Sequence, residues 1–168
     1  MNLLSLKTVV WDDLAGSFRS PTRTEFIWPK GVIASDCHKC NDEYDPNCHC
    51  GIYSSPNPTT LKEYATYTSS VFVLLNLYGW VDIWTAPRDI PHAYVLRSWG
   101  AQIIGIVGDN ANGKVMSLSA TRQLTAINGA TYYGVEIYPW QIAEAMISVT
   151  WKRHTNVVKD PYIKKEWN

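Results

Sequence analysis

The chain has 168 residues, 46% of them hydrophobic and 18% charged, with basic and acidic side chains balanced to a net charge of zero. That length supports one domain, residues 1–168, with a core of its own. The charge balance excludes recognition of a partner through a global basic or acidic field. Eight tryptophans and ten tyrosines are the outlier, since large rings fill cores but also line sites for flat ligands.

In chain order, Leu3 to Trp11 is rich in Leu, Val and Trp and reads as a strand entering the core. Its apolar run is too short for a signal peptide, and Val71 to Leu75, the longest apolar stretch, is far short of a membrane span. These readings point to a cytoplasmic protein with reduced cysteines and no membrane partner. Asp12 to Ser17 reads as a turn, Arg19 to Thr24 as a polar loop and Glu25 to Pro29 as a short apolar segment stopped by proline.

Residues 34–53 carry the densest chemistry. Cys37, Cys40, Cys48 and Cys50 are all the cysteines of the chain, and His38 and His49 are half its histidines. A Cys-x-x-Cys pair followed by Cys-x-Cys can converge on one tetrahedral zinc ion, and four thiolates leave no position for water, so such a site is structural. Disulfides would staple only this loop, and a redox pair lacks its βαβ context. Cys-x-Cys is the weaker half, with His38 the substitute ligand.

After this knuckle, Gly51-Ile52-Tyr53 continues as a strand, and Thr60-Leu61-Lys62-Glu63 has the capping-box pattern of a short helix to about Tyr67. Val71 to Trp84 reads as a central strand buried on both faces, with Gly79 at a bulge or close approach. Ala101 to Val107 reads as a second buried strand, and residues 108–113 as a turn. Asn128-Gly129 predicts a hairpin pairing residues 124–127 with 131–135. Pro139 fits the first position of a helix through Ile147, and residues 151–168 form a basic C-terminal tail. The fold class is α+β and β-rich: a small twisted sheet or PUA-like barrel with about two helices and a zinc knuckle.

Ser20-Pro21, Trp28-Pro29-x-Gly31, Cys37, Cys48-His49-Cys50-Gly51-Ile52-Tyr53, Gly79-Trp80-Val81 and Arg97 to Ala101 occur in an order that resembles a family of uncharacterised actinobacterial and bacteriophage proteins. The resemblance covers the first two thirds of the chain and brings no activity with it. It implies that Cys48, Cys50 and one upstream cysteine belong to a shared motif.

The leading functional reading is a non-catalytic module that binds a nucleotide or nucleic acid through aromatic side chains, with Tyr78, Trp80, His92, Arg97 and Trp99 as ligand-binding residues. Arg97 would meet phosphate and Trp99 would stack on a base. The alternative is a phage-type inhibitor whose exposed aromatics contact a host protein. A small enzyme using Asp82, His92 and Arg97 is the third class, without a nucleophile elbow, phosphate loop or HExxH motif to support it.

Overall fold

The structure, a computed structural model, describes residues 3–21, 26–35, 37, 40, 43–45, 47–57, 61, 69–85, 94–109, 119–157 and 163–166. Its frame is a long antiparallel hairpin of β5 (Ser70–Thr85) and β6 (Tyr94–Asp109). On one side β1 (Leu3–Asp12) pairs with β5 and β2 (Ser17–Arg19) pairs with β1, both antiparallel. The other edge of β6 is tiled by β4 (Ile52–Ser54) at residues 96–98, β3 (Val32–Ala34) at 100–102 and β7 (Glu136–Pro139), in parallel, at 105–109. A last strand, β8 (Ile163–Glu166), runs parallel to β5. Just past β4, Leu6 and Ser55 exchange two backbone hydrogen bonds of 2.8 and 2.9 Å, which join the two sides of the sheet in a partial ring.

The alternation along β1 and β5 sorts their side chains onto two faces. Leu3, Val9, Val73, Leu75 and Leu77 join Phe18, Trp28, Ile103, Ile106 and Ala126 in one cluster. Leu4, Leu6, Phe72, Leu74 and Val107 join Trp140, Ala143 and Ile147 in the other. Helix α1 (Ala120–Tyr133) therefore covers the first face and α2 (Trp140–Val157) the second. Burial on both faces explains why Val71 to Leu75 is continuously apolar.

The Asn128-Gly129 hairpin does not form; both residues lie inside α1, which starts with Ser119 accepting from the Arg122 N–H and ends at Gly134 with φ 66°. Gly129 is there for space. A Cβ would stand 2.2 Å from Phe18 Cζ and 2.9 Å from Ile106 Cδ1, so the glycine lets the helix settle onto the sheet. The helix expected after Pro139 begins at Trp140 and runs on to Val157, and 163–166 form β8, so much of the basic tail belongs to regular elements. The helix expected from Thr60 to Tyr67 is seen only at Leu61, since its other positions lie outside the described residues.

Candidate metal centre

β3 and β4 lie along β6 as one interrupted strand: Ala34 faces Gly100 and Ile52 faces Ser98. The Ser35 N–H still donates to the Trp99 carbonyl at 2.6 Å, after which the chain loops out and returns at Gly51. The cysteine-bearing segment is thus an excursion from an otherwise continuous ladder, so its two ends are fixed by sheet register. The re-entry is tight. Gly51 has φ 112°, and a Cβ there would lie 2.9 Å from both Arg97 Cγ and the Ser98 carbonyl oxygen, which only glycine tolerates.

Within the excursion the sulfurs of Cys37, Cys40, Cys48 and Cys50 all lie within 4.8 Å of one another. All four are free thiols, and two of their approaches, Cys37 to Cys48 at 3.4 Å and Cys40 to Cys50 at 3.2 Å, join the first pair to the second. A tetrahedral ion with metal–sulfur bonds near 2.3 Å needs sulfur–sulfur edges of roughly 3.8 Å, so the cluster is of the size to hold a metal ion. Burial pushes the Cys50 thiol above its ordinary range, and hydrogen bonds with Cys40, Cys48 and Cys37 push it further. A cation in place of the protons reverses that balance, because a coordinating thiol is deprotonated outright. His38 lies outside the described residues. His49 is exposed, and its carbonyl accepts the Tyr53 hydroxyl at 3.0 Å.

Beneath the cluster sits Arg97, fully buried. Its Nη2 donates to Asp82 Oδ2 at 3.3 Å and to the Asp45 carbonyl at 3.0 Å; its Nη1 donates to the carbonyls of Cys48 and, at 3.5 Å, Cys50. The Trp80 and Tyr44 rings lie 5.0 and 5.7 Å from the guanidinium carbon, and 5.7 Å from each other. One buried cation therefore gathers the second half of the knuckle, while Asp82, its cross-strand neighbour, balances its charge.

This corrects the reading of Arg97 as a phosphate contact, since a guanidinium sealed under the knuckle faces protein carbonyls and not solvent. Trp80 is likewise engaged on Arg97. Trp99 packs on Gly79, where φ is 73° and a Cβ would lie 2.8 Å from that of Trp99; the β5–β6 register shifts at the same place. Trp99 and Tyr78 remain partly exposed, with the Tyr78 hydroxyl donating to Gln102 Oε1 at 3.0 Å. His92 lies outside the described residues. Sequence reasoning missed Tyr44, Tyr53 and the carbonyls of Asp45, Cys48 and Cys50 as partners in this assembly. Its legible trace was two opposite charges, Asp82 and Arg97, in two largely apolar strands.

Comparison of the chain with protein-family models, with curated proteins and with solved structures returned no match. The resemblance drawn from the ordered short motifs between Ser20-Pro21 and Arg97 to Ala101 rests on those motifs alone.

Proposed function

We propose that the protein is a zinc-stabilised, non-catalytic binding module that recognises a nucleotide or nucleic acid through aromatic side chains. Four thiolates complete a tetrahedral shell, so the metal has no open position for a substrate and its work is to hold residues 35–51 against β6. The observation that carries the ligand reading is the placement of Tyr78 and Trp99. Both rings are partly exposed and flank the Gly79 bulge of two paired strands, Trp99 on the face of Gly79 and Tyr78 on the opposite face over Gly100, beside the segment that the knuckle clamps. Rings on a rigid scaffold lose little freedom on binding, and base stacking contributes about 1–3 kcal/mol without requiring a basic protein.

A thermal-shift screen of nucleosides, nucleotides and short oligonucleotides tests the reading, with stabilisation by a base-containing ligand expected. The alternative, an inhibitor-type contact with a host protein, draws on a different observation: Leu124 and Ile127 on α1 and Ile142 and Val149 on α2 are each about half exposed. No shift with any base-containing ligand, together with saturable capture of one host protein, would replace the first reading by the second. No described helix is long and apolar enough to cross a membrane.

A further inference from the structure

The excursion leaves the sheet with Cys37 and Cys40 and returns with Cys48 and Cys50, and its sulfurs approach one another across these two limbs, Cys37 to Cys48 at 3.4 Å and Cys40 to Cys50 at 3.2 Å. Both separations are within about 1.4 Å of a disulfide bond length. The pairing is also self-consistent. A bridge from Cys40 to Cys50 leaves Cys37 and Cys48 as the remaining pair, already in contact, whereas a bridge from Cys37 to Cys40 leaves Cys48 and Cys50 with one residue between them. All four residues are partly exposed, and Cys40 and Cys50 are the more open two. The backbone around the sulfurs is held by other groups. Arg97 donates to the carbonyls of Asp45, Cys48 and Cys50, and the Cys40 carbonyl accepts the Glu43 N–H at 2.9 Å. A sulfur–sulfur bond can therefore close by side-chain rotation with both limbs in place.

A thiol that ligates a metal ion is a thiolate, and the thiolate is the form that attacks an oxidant. We propose that Cys40 and Cys50 are a hydroperoxide-reactive pair, and that oxidation replaces the metal clamp of the knuckle by two disulfides across its limbs, Cys40–Cys50 first and Cys37–Cys48 second; this rests on the reading of the cluster as a zinc site. One thiolate of the open pair attacks an oxygen of hydrogen peroxide, forming a sulfur–oxygen bond as the oxygen–oxygen bond breaks and hydroxide leaves. The resulting sulfenic acid is attacked by the thiolate of its neighbour, so the sulfur–sulfur bond forms, the sulfur–oxygen bond breaks and a second hydroxide leaves. Solvent protons turn both hydroxides into water. Each thiolate has then given up one electron, and one peroxide has been reduced. Cys37 and Cys48 alone are half of a four-ligand structural site, so the ion is released and a second peroxide closes this pair by the same steps. The clamp survives in a new chemical form, because each bridge still joins the outgoing limb to the limb that Arg97 seats on β6.

The test is titration of the zinc-loaded wild-type protein with hydrogen peroxide, following zinc release with a chromogenic chelator and mapping bridges by mass spectrometry after the remaining thiols are alkylated. Cleavage at Lys39 separates Cys37 from the other three cysteines. At the first oxidation step the peptide holding Cys40, Cys48 and Cys50 is therefore expected to carry an internal Cys40–Cys50 bridge, with Cys37 still alkylated on its own peptide. At completion the two peptides should be joined through Cys37 and Cys48, with all zinc released. Hydrogen exchange supplies a second readout: amides at 47–57 should stay protected in the oxidised, zinc-free protein, whereas chelation of the reduced protein exposes them. A bridge from Cys37 to Cys40 or from Cys48 to Cys50, sulfinic acid in place of bridges, or an oxidised protein as open at 47–57 as the chelated one overturns the inference and leaves the zinc site standing. A chain that takes up no zinc removes the site and the inference together.

Discussion

Along β6, residues 96–98 carry the looped-out knuckle, whereas residues 103–107 lie between two helices, and the two stretches are held by different physics. The second stretch is held by apolar side chains on both faces, a non-directional force that tolerates small shifts and persists under any redox or metal condition. The first depends on one buried cation, a set of backbone carbonyls and four sulfurs, all of which need specific geometry. Arg97 beneath fastens the excursion to the sheet, and the four sulfurs within it are placed to hold a metal ion. One strand thus serves as core at one end and as mount for a polar assembly at the other.

The largest expected effect comes from breaking the mount. Arg97→Ala leaves Asp82 buried without its countercharge and strips the Asp45 and Cys48 carbonyls of their donor, so a loss of about 3–5 kcal/mol in urea denaturation is expected. Arg97→Met with Asp82→Leu should recover part of that loss, since removing both charges is far less costly than removing one. A double variant as unstable as Arg97→Ala would show that the carbonyl contacts, not the ion pair, dominate.

The helical end is probed by Gly129→Ala. Its methyl must displace the Phe18 ring, which is stacked on Tyr133 at 5.3 Å, and overpacking of this kind costs about 1–3 kcal/mol. Metal binding should be unchanged, because nothing at the cysteines is touched. Reduced metal affinity in this variant would mean that the two ends of β6 are coupled.

The smallest effect concerns Lys7 on β1, whose ammonium donates to the Tyr53 carbonyl at 2.7 Å. Burial lowers its pKa from 10.5 to about 8. The folded state then loses this proton at lower pH than the unfolded chain does, so the unfolded chain binds more protons between pH 8 and 10.5. Stability from this group accordingly rises across that window, by at most about 1.4 kcal/mol per pH unit and by less for a partly exposed side chain. Tyr133, pushed up to about 12 by burial, works in the opposite sense above pH 10. The measurement is therefore the stability of wild type minus that of Lys7→Met, which should rise as pH goes from 8 to 10.5; a difference independent of pH would remove the linkage.

Much of this architecture was legible in the sequence. Leu3 to Trp11 and Val71 to Trp84 declared themselves as strands because apolar burial leaves a local pattern, and the four cysteines declared a cluster because their spacing is short. Asn128-Gly129 misled for an identifiable reason: glycine serves tight turns and close helix contacts alike, and only the position of Phe18, far away in sequence, decides between them. Arg97 misled in the same way. A charged residue beside aromatics reads as a ligand contact until its partners are known, and those partners, Asp45, Cys48 and Asp82, come from two other segments of the chain.

Hydrogen exchange before and after chelation, with native mass spectrometry of the same samples, decides whether a metal held by Cys37, Cys40, Cys48 and Cys50 fastens residues 35–51 to β6. One zinc ion per chain is expected in the protein as purified. Its removal should abolish protection in 47–57 and lower the melting temperature, while amides at 71–77 and 103–107 stay protected until global unfolding. A chain that carries no metal, or one whose exchange pattern and melting curve are unchanged by metal removal, would contradict it.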